Sequence, residues 1–327
     1  MATLSMANLQ DPHRQVLRRA VGNVLATPIA DLTYAQIVDG LPVSSVALDT
    51  YYGNVCPGHP LLDEHVMLSP DVLERARQRR DSFDLNTLPF DAAVIHAYQS
   101  SSVDSRVFQS RLIELVAVAL HNVAVWLYQQ GPVRPKDDPL LLWRPSDAEM
   151  SFYSTESYPP TLFVHPWYMD YEQYPGGVAD GVGYWAEGRI LGGVVLFDRR
   201  PASDGGDTSS VYFHSDGREV TYRIYRLLDE QKQQLLQFLL ADEPSSCPLP
   251  IHGDKANRTR VDPEEPPAET GIYRDLWERK PLTGELLDAR TKDVLDEFNY
   301  TSYEEWSEAH GRGYEARRKY MRRTRSG

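Results

Sequence analysis

Between Asp104 and Gln130 the chain carries apolar residues on nearly every face of a helix. A helix apolar all round has to lie inside a fold or inside a bilayer. Glu114, His121 and Asn122 interrupt the run, and its longest apolar piece, Leu112 to Leu127, is short of a membrane span. The segment therefore predicts a buried central helix, stopped by Gly131 and Pro132, around which the rest of the chain must be arranged.

Local signals divide the remainder. Val16, Leu17, Ala20, Val21, Val24 and Leu25 recur at helical spacing, and Ser69 followed by Pro70 announces a helix through VLERARQRR. GPVRPKDDPLLLWRP and SYPP, between Gly131 and Pro160, read as an ordered crossover of the surface. From Thr161 to Arg226 the composition turns to β: TLFVH, VGYWA, RILGGVVLFD and SVYFHS are β-branched and aromatic runs separated by glycine-rich turns, with Asp216-Gly217 as a hairpin turn. An amphipathic helix with Ile224, Leu227, Leu228, Leu235, Phe238 and Leu239 on one face ends before Pro244. Ser245 to Thr270, rich in proline and charge, has the composition of an extended connection. Tyr273 to Arg279, Leu286 to Phe298 and Tyr303 to Met321 read as short helices.

The expectation is an α+β fold in which N-terminal helices, including the buried central helix, pack on an antiparallel sheet and are followed by a C-terminal helical arm. Residues 1–244 form the main domain, helical over 1–131, mainly β over 161–221 and helical again over 222–241. Residues 245–270 link it to the arm, 271–327, which ends in a basic tail.

Charge and cysteine content narrow the function. Cys56 and Cys247 lie far apart and outside any C-x-x-C spacing, which excludes a disulfide framework or a Cys-rich zinc site. The N-terminus lacks a basic stretch leading into an apolar one, so no secretory signal and a cytoplasmic location are expected. A net charge of −13 argues against general nucleic-acid binding, which draws its affinity from neutralising phosphates. The exception is the basic tail, 312–325: the last sixteen residues carry +6 and everything before them −19, so the tail suits an acidic partner or folds back on its own body.

GYWAEGRI, Gly183 to Ile190, has the glycine spacing of a P-loop, yet Arg189 and Ile190 stand where Lys and Ser/Thr belong. The intervening Tyr184, Trp185, Ala186 and Glu187 are bulky or anionic where small residues must let backbone N–H groups close on a phosphate. The stretch reads instead as a β-hairpin turning at Glu187-Gly188, with Gly192-Gly193 marking a bulge or a close backbone approach.

Candidate chemistry is scattered. Glu114 and His121 share a face of the central helix, two turns and about 10 Å apart by helical rise, and with His96 they could flank a substrate as acid and base. Structural hydrogen bonding, to one another or to the backbone, is the simpler reason for ionisable groups in an apolar helix. His165, Asp180 and His214 complete the acid-base candidates. Trp167, Tyr168, Tyr171, Tyr184 and Trp185, beside Asp170, Glu172 and Asp180, form an aromatic and acidic stretch suited to a ligand or a protein partner. His214 and Asp216 have the H-x-D form of an iron facial triad, with His252 as a third ligand. That layout superficially resembles the 2-oxoglutarate-dependent oxygenases, but the helix following it departs from their β-jelly-roll, and no metal is assigned.

No recognised catalytic signature is present. The sequence therefore favours a ligand-binding or protein-interaction protein that requires no cofactor. The alternative is an enzyme using a His/Asp/Glu acid-base pocket, with a mononuclear iron oxygenase as its less favoured form.

Overall fold

The computed structural model describes residues 2–49, 55–56, 58–103, 105–150, 158–216, 221–280 and 302–324. The first helices are α1 (His13–Leu25), α2 (Pro28–Asp39), α3 (Ser44–Leu48), α4 (Leu61–Glu64), α5 (Pro70–Ser82), α6 (Ala92–Gln99) and α7 (Arg106–Gln129). Then come α8 (Pro139–Leu142), α9 (Asp147–Met150), α10 (Val178–Leu191), α11 (Asp229–Leu240), α12 (Pro267–Thr270) and α13 (Tyr303–Thr324). Strand β1 (Thr3–Ser5) pairs antiparallel with β2 (Pro89–Asp91) beside the N-terminal helices. The main sheet comprises β3 (Val194–Asp198), β4 (Val211–His214), β5 (Ile224–Arg226), β6 (Arg260–Val261) and β7 (Ile272–Tyr273). Its order is β6-β5-β4-β3-β7, and every neighbouring pair is antiparallel. The protein is thus a mixed α+β fold with its central helix packed on the sheet.

Ser105 caps α7 by accepting the Phe108 N–H at 3.1 Å, and positive φ at Gly131, before Pro132, ends it. The helix is long and apolar enough to cross a membrane, but most of it is buried inside the fold, against α10, α6 and α1. Its apolar circumference is therefore used by protein neighbours on several sides.

The sheet is apolar on both faces. Val195, Phe197, Val211, Phe213 and Tyr225 join the large helical core, while Val194, Leu196, Tyr212 and Ile224 join a second core rich in tyrosine, with Tyr168, Tyr174 and Tyr184. Period-two alternation along β3 and β4 sends successive side chains into different cores, which is why these strands read as continuous hydrophobic runs.

Several local readings are corrected. Residues 183–190 form the centre of helix α10, not a hairpin, so VGYWA is helical, and TLFVH is not a strand either. Val182, Trp185, Ala186 and Ile190 sit together in the helical core, an i, i+3, i+4, i+8 pattern that overrides the strand preference of Tyr and Trp. Gly192 caps the helix in the left-handed conformation, φ 103°. A β-carbon there would lie 2.2 Å from the Ile251 carbonyl oxygen, so this glycine does serve a close backbone approach.

The sheet accordingly begins at Val194 and extends beyond residue 221. Ile224 lies in β5, and the helix expected to include it starts only at Asp229. The proline-rich stretch contributes β6 and α12, and Tyr273 to Arg279 opens with β7 rather than a helix. Strands β4 and β5 pair antiparallel, while Gly217 of the expected Asp216-Gly217 turn lies outside the described residues, as does Leu286 to Phe298.

Candidate functional site

Helix α10 brings most of the candidate residues together, and its glycines explain how. A β-carbon on Gly183 would lie 2.6 Å from the His121 ring, one on Gly181 2.4 Å from the Tyr171 ring, and one on Gly188 3.3 Å from His165. Each glycine of the apparent phosphate loop is a seat for an aromatic ring from elsewhere in the chain.

His121, reaching across from α7, sits between Asp180 and Glu187, two carboxylates about two turns apart on α10. Its Nε2 is 3.3 Å from Asp180 Oδ1, and its buried Nδ1, 3.8 Å from Glu187 Oε2, has no hydrogen-bond partner. Burial works to raise the Asp180 carboxyl, but the His121 contact, the Gly176 N–H and nearby Arg274 hold it below the usual carboxylate range. Fully buried Glu187 accepts from Arg274 Nη1 at 2.7 and 2.8 Å and from the Val195 N–H at 2.7 Å. Burial alone would lower Arg274, yet Glu187 and Asp275 more than offset it and the guanidinium stays charged.

A chain of rings leads onward into the tyrosine core. His121 meets Tyr184 edge-on at 4.6 Å, Tyr184 lies 4.5 Å from Tyr168, and Tyr168 lies 5.5 Å from His214. His214 Nε2–H donates to the Tyr222 carbonyl at 3.2 Å while its Nδ1 accepts from the Tyr168 hydroxyl at 3.2 Å. His165 Nε2–H donates to the His214 carbonyl at 3.0 Å, and its Nδ1 accepts the Trp167 N–H at 3.4 Å. Burial pushes both imidazoles below their ordinary range and keeps them neutral. With both ring nitrogens of His214 committed and His252 exposed, the H-x-D stretch offers no open iron ligand set; no metal-holding group occurs among the described residues.

The other candidates lie apart. His96 is exposed on α6. Buried Glu114 is held by Arg111 and by Arg199, whose Nη2 is 2.5 Å from Oε1, so it does not share a pocket with His121. Trp185 faces the helical core against Phe163 at 4.7 Å. Tyr168, Tyr184 and Trp185 are each at most 1% exposed and present no surface to a partner; only Trp167 and Tyr171 reach partway out.

An open site occurs elsewhere, on the proline-rich strap. A cleft of about 500 Å³ lies between the C-terminal ends of α2 and α7, helix α8 and residues 158–162. Leu41, Leu140 and Leu162 with Pro160 supply apolar wall, and Tyr128, Thr161, Tyr158 and Arg144 supply polar groups. The frame is braced from behind: Arg134 reaches Asp39 at 2.7 Å, Asp138 at 3.0 Å and His65 at 2.9 Å, tying α2 to the N-cap of α8. Gly40, at φ 106°, ends α2, and Pro132 packs against it.

At the cleft mouth the Arg144 guanidinium lies 5.3 Å from the centre of the Tyr158 ring and donates to the carbonyls of Leu141 and Trp143. His59 Nδ1 accepts the Leu61 N–H at 3.0 Å, and its Nε2–H donates to the Tyr158 hydroxyl at 3.1 Å. Burial brings His59 down to about 4, so it is neutral, and pushes the Tyr158 phenol up to about 12 despite Arg144. Sequence reading treated this segment as a surface crossover. Its overlooked signal is the mixture of Leu140, Leu141, Trp143 and Tyr158 with prolines, since such side chains need something to lie against.

Comparisons with protein-family models, with curated proteins and with solved structures found no match for this chain. Its functional reading rests on this geometry.

Proposed function

We propose that this protein binds a small, amphipathic molecule in the cleft between α2, α7, α8 and residues 158–162. The observation that carries the reading is the cleft itself: its volume of about 500 Å³ falls within the roughly 300–1,000 Å³ of small-molecule sites, and leucine and proline wall shares the lining about equally with polar groups, which suits an amphipathic molecule. The buried His, Tyr and Arg network around α10 supports it indirectly. Its His165 and His214 imidazoles are committed to internal hydrogen bonds and its largest rings are buried, so this part of the network belongs to the core.

Thermal unfolding with a panel of amphipathic small molecules tests the proposal. A ligand that binds only the folded state raises stability by about 2.7 kcal/mol at a hundredfold excess over its Kd. Leu162→Trp, which fills the cleft, should abolish the gain. A panel without effect, or a gain that survives the filled cleft, would count against it.

A second reading, an acid-base enzyme, has one observation in its favour: the buried His121 Nδ1 without a partner, beside Asp180 and Glu187. Recovering a captured ligand after prolonged incubation separates the two. The binding reading expects it unchanged, whereas conversion abolished by His121→Gln would favour the enzyme.

A further inference from the structure

We infer that the cleft selects anions: its ligand is an apolar molecule carrying one carboxylate or comparable negative group, paired with Arg144. This rests on the cleft-binding reading above and adds the chemical class.

The chain as a whole has 47 acidic residues against 34 basic ones, yet among the described residues no aspartate or glutamate lines the cleft and Arg144 is the one charged lining residue. Arg144 is exposed at the mouth, and its Nη1 is used by two backbone carbonyls, which orient the guanidinium without neutralising it. No carboxylate pairs with it among the described residues. The Tyr158 ring lies beneath the guanidinium, 5.3 Å from its carbon, and a guanidinium seated on a ring and two carbonyls is suited to paired N–H donation to a carboxylate. Among the described lining residues no carboxylate would compensate a cationic head group, and an amine at the rim would face the guanidinium directly.

Shape and polarity place the two ends of such a ligand. The apolar part lies against Leu41, Leu140, Leu162 and Pro160, towards Tyr128 and Thr161 at the end of α7, and the anionic head remains at the water-accessible rim beside Arg144. A rim position avoids the desolvation cost of a buried charge while retaining discrimination against neutral analogues.

The test uses the full chain and matched compounds: octanoate, decanoate and phenylacetate against octanamide, decanamide and phenylacetamide, with octylamine as the cation. Calorimetric titration should show acids binding about tenfold more tightly than amides, a preference weakened by added salt and removed by Arg144→Gln, while Arg144→Lys restores part of it. Equal binding of acids and amides, blocked by Leu162→Trp, would overturn the anion selection and leave the cleft reading standing. Stronger binding of octylamine would overturn it too. Failure of every compound, or binding untouched by Leu162→Trp, would overturn the cleft reading and this inference with it.

Discussion

The His121 ring lies directly on the backbone of Gly183, so close that a β-carbon at Gly183 would come within 2.6 Å of it. This contact lets α7 and α10 approach while the imidazole slots between Asp180 and Glu187. Alanine at Gly183 should therefore destabilise the protein by up to about 2 kcal/mol, because overpacking costs about 1–3 kcal/mol against the ~1 kcal/mol that alanine gains in a helix. Gly22 of α1 is the control: a β-carbon there meets nothing within 4 Å, so Gly22→Ala should stabilise by about 0.5–1 kcal/mol. Urea denaturation of both variants distinguishes them, and a gain in each would show that the ring contact does not constrain the helices.

The Glu187 and Arg274 pair is wholly enclosed, with Arg274 also lying over Tyr184 at 5.4 Å. Removing one partner leaves an uncompensated buried charge, so Arg274→Met should cost about 3–5 kcal/mol. Adding Glu187→Leu to it should recover a large part of that loss, since the stranded carboxylate is then gone. Chemical denaturation of the single and double variants gives the comparison, and a double variant no better than Arg274→Met would contradict this assignment.

Acid should weaken the fold from the imidazoles first. His59, at about 4, and the more deeply buried His165 and His214 are all held below the ordinary imidazole range, so the unfolded chain takes up their protons before the folded one does. Stability is full above an ordinary value of about 6.5 and falls as pH drops from there towards 4. Discounted for solvent access, His59 contributes on the order of 1–2 kcal/mol, and His59→Gln should flatten that part of the profile. Asp207, held down to about 2 by Ser209 and Ser210, adds a separate loss below its ordinary value of 3.8. Urea midpoints measured across this range should decline with acid; a flat profile between pH 6.5 and 4 would refute the neutral buried imidazoles.

The elements legible from sequence are those whose cause is local. Ser69-Pro70 and Gly131-Pro132 mark the start of α5 and the end of α7, and the apolar spacing of α1 and α7 is complete within each segment. Helix α10 was misread because its glycines and aromatics have the local chemistry of turns and strands. What makes them helical is burial of the Val182, Trp185, Ala186 and Ile190 face in the core, while the glycines leave room for the His121, Tyr171 and His165 rings, which no local window reveals. Strands β6 and β7 have two residues each and exist through long-range pairing, so a local window rich in proline and charge conceals them.

The same reasoning applies to the candidate residues. Asp180 lies against His121 and His165 meets His214, pairings that no sequence spacing singles out, and geometry alone reveals that Glu114 belongs to Arg111 and Arg199. The Arg274 that completes the α10 network comes from a stretch read only as a helical arm. The cleft is not legible in the sequence because its walls come from four separated segments that meet only in the fold.

Methyl and aromatic NMR of the labelled protein during titration with octanoate is the most direct measurement. Binding in the cleft should shift the Leu41, Leu140 and Leu162 methyls and the Tyr128 ring together, saturably, and leave Val195 and Phe213 in the sheet core unmoved. Shifts confined to other surfaces, or no saturable shift with any amphipathic ligand, would contradict a binding role for this cleft.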